Sequence, residues 1–320
     1  MALKYNTQPL TAWQAAHLLR RASFGPTPAL INEYTGLTPS AAVAKLLVSP
    51  AKATTPIDPA TGKTFTNKPF VQEMQGKYTL YVKQWWLASM VSQPASLIEK
   101  MTLFLQNHLV VSTNTIADYR YMYDYHSLLR KYALGNFKTL ILEITSNPAM
   151  LRYLNGNQNS KSKPNENYAR ELQELFTIGR VKQDGTSNYN EEDVRTAARV
   201  LTGWVETGYR DTINTKISSA FDVTKHDTGD KIFSSYYQNT IIIGRNSTTA
   251  GSDELNDLVN MIFNQIETSK NICRELYRFF VRADISNDTE INVITELATI
   301  FRNSNFNLRP VLTALFKSQH

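Results

Sequence analysis

Over most of the chain apolar residues recur at three- and four-residue intervals, the period of helices that pack through one face. The pattern is strongest between Pro164 and Trp204. Tyr168, Leu172, Leu175, Phe176 and Gly179 fall at i, i+4, i+7, i+8 and i+11. They predict a buried stripe on a helix over 165–178, with Pro164 before it and Gly179 as its stop. Asn167, Glu171 and Glu174 form a polar stripe on the shoulder of that face. A second helix starts at Asn190, a residue type that caps helices, with Glu191, Glu192 and Asp193 in the first turn where the helix dipole favours acids. Val194, Ala197, Ala198, Leu201 and Val205 are its expected core face, and Arg195 and Arg199 lie on its flank. The intervening loop, with Gly179, Gly185 and Asn188, suits an antiparallel pair that sets Glu171 and Glu174 opposite Arg195 and Arg199.

Two readings of this acid–arginine stretch stand on spacing alone. One is an ion-pair lattice that fixes how two helices cross. The other is a functional acid cluster, in which Arg170, Arg195 and Arg199, with Asn167 and Tyr168, hold a ligand or orient the acids.

Elsewhere the same period predicts further helices. Thr11 caps a first one, with Trp13, Ala16, His17 and Leu19 as its expected buried face. Two short helices carry Pro28 and Pro39 at their first turns. Residues 49–69 are a polar excursion rich in breakers, including Pro50, Pro56, Pro59 and Gly62. Its Gly62-Lys63-Thr64 is not a phosphate loop, because Ile57 stands where the first glycine belongs. Two long helices span Val71 to Val111 with a break at Pro94, and His108 closes the second. Tyr78, Tyr81, Trp85 and Met90 are the expected core side of the first. The segment from Asp118 to Leu134 carries Tyr119, Tyr121, Tyr123, Tyr125 and Tyr132, which predicts packing between layers with hydroxyls reaching polar partners. From Tyr209 to Gly244 short β-rich runs predict a hairpin turning at Thr228-Gly229, with His226 and Asp227 at the turn. Helical periodicity returns at Asp253 and continues to Phe316. The fold class is therefore mostly α, an orthogonal or bundle-like set of helices forming one domain over residues 1–320, with a small β-hairpin insertion at about 209–244.

Composition narrows the functional classes. The 320 residues are 42% hydrophobic and 11% aromatic, enough for a large core. Charged residues are only 19%, and the net charge of +6 comes from dispersed positions, so nucleic-acid binding is not expected. Cys273 is the only cysteine, which excludes an internal disulfide, and its apolar neighbours predict a buried thiol. No apolar run has the length to span a membrane. There is no His-Glu-x-x-His, Gly-x-Ser-x-Gly or paired Cys-x-x-Cys.

Longer phrases in the chain resemble a bacterial family catalogued as domain of unknown function 1800. They run Asn165 to Gly179 and Tyr189 to Trp204, with Leu18 to Gly25, Asn107 to Ser112, Pro148 to Leu151 and Lys225 to Lys231 as further matches. The resemblance implies a largely helical domain, often in exported proteins, so that this chain would be either the mature part of a periplasmic or extracellular protein with its leader removed or a cytoplasmic protein. It also implies relatives that continue past His320, with either the last helix here clipped or the chain a fragment. The family commonly carries Trp-His-x-His-Phe, whereas this chain reads Leu105-Gln106-Asn107-His108-Leu109, so one of the two histidines is replaced.

Two functional expectations follow. The first is a binding or assembly protein with the acid–arginine helical pair at its centre and a protein or extracellular polymer as partner. The alternative is a metal-dependent hydrolase. His108, Glu171 with Glu174, and His226 with Asp227 supply imidazole and carboxylate groups suited to zinc, iron or manganese, and a bound water would be the nucleophile. The competing assignments are a core histidine for His108 and a turn-stabilising carboxylate for Asp227.

Overall fold

The computed structural model describes residues 3–48, 54–92 and 95–320. Its helices, in chain order, are α1 (Ala12–Ala22), α2 (Pro28–Tyr34), α3 (Pro39–Leu46), α4 (Gln75–Ser92), α5 (Leu97–His108), α6 (Thr113–Ile116), α7 (Tyr119–Tyr132), α8 (Phe137–Thr145), α9 (Pro148–Tyr153), α10 (Glu166–Glu174), α11 (Glu191–Val200), α12 (Ala250–Asn264), α13 (Ile266–Phe280), α14 (Asn287–Thr289), α15 (Thr295–Asn303) and α16 (Leu308–Lys317). The chain is mostly α-helical. Its strands form three antiparallel two-stranded ribbons among the described residues: β1 (Ile57–Asp58) with β2 (Lys63–Thr64), β3 (Trp204–Thr207) with β4 (Ser218–Phe221), and β5 (Lys231–Ile232) with β6 (Ile241–Ile242). No described helix is long and apolar enough to cross a membrane.

Helix starts follow local chemistry. Thr11 caps α1 in a capping box with Gln14, Thr27 and Thr38 cap the proline-started α2 and α3, and Asn190 caps α11 in a box with Asp193. The buried face of α1 is Ala15, Ala16, Leu18, Leu19 and Ala22, not the expected Trp13 and His17. Trp13 is 71% exposed and stacks on His17 outside the core, because those two positions lie on the opposite side of the helix. The expected break at Pro94 and the first residues of the polar excursion lie outside the described residues. The rest of that excursion holds the β1–β2 ribbon, turned at Gly62 with φ of +66°.

One apolar cluster runs from α1 through α5, α7, α8, α10 and α11 to α16. Phe65, Phe70, Val82 and Tyr119 form a separate aromatic cluster under α4. There, Tyr78, Tyr81, Trp85 and Met90 are only half-buried. The tyrosines of α7 behave as expected. Tyr119, Tyr121 and Tyr125 are fully buried, and their hydroxyls donate to the carbonyls of Pro69, Thr207 and Leu109.

Two departures matter for the site. Helix α10 stops at Glu174 rather than near Ile178, and Leu175, expected in the buried stripe, is 55% exposed. The amides of Leu175 and Phe176 both donate to the Glu171 carbonyl, so the last turn widens to a five-residue bond and the chain leaves the helix at this point. The second concerns the β-rich segment. It contains the ribbon β5–β6 and the strand β4, whose partner β3 precedes the segment, and Thr228-Gly229 is not a hairpin turn but part of the loop leading into β5. Asp227 fixes that loop by accepting the Gly229 amide at 2.9 Å, so the turn chemistry is real while the strands pair elsewhere.

Candidate functional site

The C-terminal ends of α5, α9 and α10 converge on one face of α13 and leave a half-open cavity of about 720 Å³. His108 and Asn107 come from α5, Tyr153 from α9, Glu171 and Glu174 from α10, and Glu275, Arg278 and Phe279 from α13. Three residues expected to act together, His108, Glu171 and Glu174, thus line the same space.

Each side chain there has a definite electrostatic state. His108 Nε2 lies 3.1 Å from the Phe176 carbonyl oxygen. A carbonyl only accepts, so Nε2 carries the proton and the lone pair is on Nδ1. The ring stacks on Phe104 at 5.7 Å between centroids. Burial lowers the His108 pKa below its ordinary 6.5, against smaller opposing effects from the Phe176 carbonyl and Glu275, which keeps the imidazole neutral at pH 7. Glu174 accepts a hydrogen bond from the Tyr189 hydroxyl at 3.0 Å. Glu171 has no hydrogen-bond or ion-pair partner among the described residues. Burial and the adjacent Glu174 carboxylate push its pKa above 4.5, with Arg170 opposing. Arg278 donates to Glu275 at 2.5 Å and so spends its charge within α13. Arg170 is engaged by Glu166 and Glu191, so Glu171 and Glu174 face the cavity with no cation paired to them among the described residues.

The expected pairing of these two acids with Arg195 and Arg199 does not occur. Arg170 bridges Glu166 at 2.9 Å and Glu191 at 2.8 Å. Arg195 lies 3.3 Å from Glu192 and 3.6 Å from Glu166. Arg199 binds Asp227 through two bonds of 2.7 and 3.2 Å. The helical pair forms, but Glu166 and Arg170 occupy the side of α10 that meets α11. Glu171, about 100° further round the helix, points to the other shoulder. Of the remaining candidates, Asn167 is exposed, and Tyr168 is buried with its hydroxyl 2.7 Å from Thr145.

His226 and Asp227 belong to a different place. The His226, Lys231 and Glu254 side chains are fully buried. His226 Nε2 is 3.1 Å from Glu254, its Nδ1 is 2.9 Å from the Thr202 carbonyl, and Lys231 Nζ is 2.6 Å from Glu254. The Arg245 amide adds a third contact to Glu254 at 2.7 Å. Every polar group in this network has a protein partner, and its geometry ties β5 and the loop before it onto α11 and α12. Among the described residues no three His, Cys, Asp or Glu side chains come together as a metal-binding group. The donors proposed for a metal are split between these two places.

The profile described as Protein of unknown function (DUF1800) matches residues 17–320. The chain belongs to this family. Neither the curated proteins nor the solved structures gave a match.

Sequence reasoning missed Glu275, Arg278 and Phe279. A signal was present: Asn271, Glu275 and Arg278 recur at i, i+4 and i+7, beside the apolar Ile272, Cys273, Leu276 and Phe280. That is the same shoulder pattern as in α10.

Proposed function

We propose that this chain is a binding protein, one helical domain that holds its ligand in the cleft between α5, α10 and α13. The observation that carries this reading is the pair Glu171 and Glu174, left without a cationic partner in an aromatic-walled cavity of about 720 Å³. Carboxylates in such a site are usually neutralised from within the fold, so the missing countercharge is best supplied by a ligand. The partner would be a protein or an extracellular polymer that places a group in this cleft. A thermal-shift panel of amines, sugars, amino acids and short peptides tests it, run on wild type and on Glu171→Gln/Glu174→Gln. Stabilisation present in wild type and lost in the double variant supports the reading. Stabilisation that survives the double variant, or none across the panel, overturns it.

A second reading has its own observation. Glu171 is driven towards its protonated form while His108 is held neutral, an acid and a base with separated environments. On this reading Glu171 donates a proton to a leaving group, and His108 Nδ1 accepts one from water. Hydrolysis of an ester, glycoside or peptide substrate that is lost in Glu171→Gln would favour it over binding alone.

A further inference from the structure

We propose that the cleft is built for an alkylammonium group, carried either by a lysine side chain of a partner or by a free polyamine. This rests on the binding reading and names the ligand chemistry of the same cleft.

Charge comes first. The ionisable groups lining the cavity are His108, Glu171, Glu174, Glu275 and Arg278, with Tyr153 as a phenol. Arg278 is taken by Glu275, Arg170 by Glu166 and Glu191, and His108 is neutral, so the carboxyl groups of Glu171 and Glu174 have no cationic partner in the cleft. An anionic ligand is repelled. A neutral ligand leaves the acids as they are, whereas a cation offsets the burial and the Glu174 repulsion that raise Glu171.

The acceptor set then separates the kinds of cation. Glu171 and Glu174 are one helical turn apart, with about 5–6 Å between their Cβ atoms, so both reach one point charge. The third acceptor is His108 Nδ1, whose lone pair no other described residue claims. An ammonium has three donors and no acceptor, and these are three acceptors. A guanidinium presents its donors in a rigid plane suited to a single carboxylate, which fits the set less well.

The remaining volume gives the ligand its body. Phe104, Phe176 and Phe279 offer aromatic surface, and Leu175 and Val110 are 55% and 44% exposed at the cleft. An alkyl chain covers this surface while its charged end reaches the acids, and the rings add a cation–π contribution.

Calorimetric titration of the full chain tests the assignment with four probes of similar size. They are 1,5-diaminopentane, an end-blocked tripeptide with a central lysine, 1,5-pentanediol and glutarate. Binding of either ammonium probe is expected, with none by the diol or the dicarboxylate. Glu171→Gln and Glu174→Gln should each weaken it by about tenfold or more, the loss of one charge-assisted hydrogen bond. The tighter ammonium probe identifies the source, polyamine or lysine side chain. The assignment is overturned if neither ammonium probe binds, if the diol or glutarate binds as well, or if both Gln variants bind like wild type. A neutral or anionic probe that binds wild type and not the variants would sink the ammonium assignment and leave the cleft as the binding site. Binding that ignores both variants would remove the cleft itself. Should Glu174→Gln unfold through loss of its Tyr189 bond, Glu171→Gln alone decides, because no described side chain bonds to Glu171.

Discussion

Lys231 and Glu254 meet at 2.6 Å with both side chains fully buried. Removing one member of such a pair leaves the other charged and desolvated, which costs about 3–5 kcal/mol, far more than loss of a surface ion pair. Lys231→Met should therefore lower the free energy of unfolding by about 3 kcal/mol or more. Lys231→Met/Glu254→Gln should recover part of that loss, since no isolated charge remains. Urea unfolding of the two variants checks this. A single variant as stable as wild type would mean that the network is hydrated.

The same network makes stability depend on acid. Burial alone would raise the Glu254 pKa, but hydrogen bonds from His226 and Lys231 outweigh it and hold the carboxyl below 4.5. For Asp227, burial is likewise outweighed by the bonds from Arg199 and the Gly229 amide, and its pKa lies below 3.8. A carboxylate lowered in the folded state stabilises above its unfolded value, and that contribution is lost as pH falls through the folded value. The part of wild-type stability that these two carboxylates supply, read from urea unfolding, should be complete above about pH 4.5 and fall progressively below it. In Glu254→Gln that acid-dependent part should shrink, although the variant is less stable throughout.

Glu171 carries the opposite sign. Its pKa is raised in the folded state, so its ionisation weakens the fold as pH rises from 4.5 through the folded value. Glu171→Gln should leave the melting temperature at pH 7 unchanged or higher, and should flatten its pH dependence just above 4.5. This is the reverse of what a buried Glu171–Arg195 or Glu171–Arg199 pair would give. A fall in melting temperature at pH 7 would show that the carboxylate has a stabilising partner.

How much of this was legible in the sequence differs by kind of feature. Helices were legible because each is amphipathic on its own, and caps such as Thr11 and Asn190 mark where they start. His108, Glu171 and Glu174 were legible as candidates, since acids on the shoulder of an apolar stripe stand out. Their common cavity was not, because it depends on α13, which lies about a hundred residues further along the chain and enters only through tertiary packing. Nor was the partner of Arg199 legible. Glu171 and Asp227 are equally acidic in sequence, and the choice between them is made by the fold of the 209–244 segment against α11. The burial of Trp13 was misread because a large aromatic residue weighs heavily in any hydrophobic pattern, whatever side of the helix it occupies.

Gly251 supplies the last prediction, in which two effects oppose. It is the second residue of α12, where alanine is the better helix former by at most about 1 kcal/mol. A Cβ there would fall within 3.0 Å of three ring atoms of Phe221. That ring packs edge-on against His226, at 5.1 Å between centroids, and against Trp204 at 5.6 Å. These two neighbours limit how far the half-buried ring can shift, so overpacking, typically about 1–3 kcal/mol, should exceed the propensity gain. Gly251→Ala is expected to destabilise the chain by about 1 kcal/mol net, with the strain passed to the His226–Glu254 contact. Phe221→Leu, costly by itself, should relieve the clash, so the double variant should be more stable than the sum of the single effects predicts. Unfolding free energies of the four proteins give the coupling. A coupling near zero would mean that Phe221 and Gly251 are not in contact, and that the ribbon β3–β4 sits away from α12.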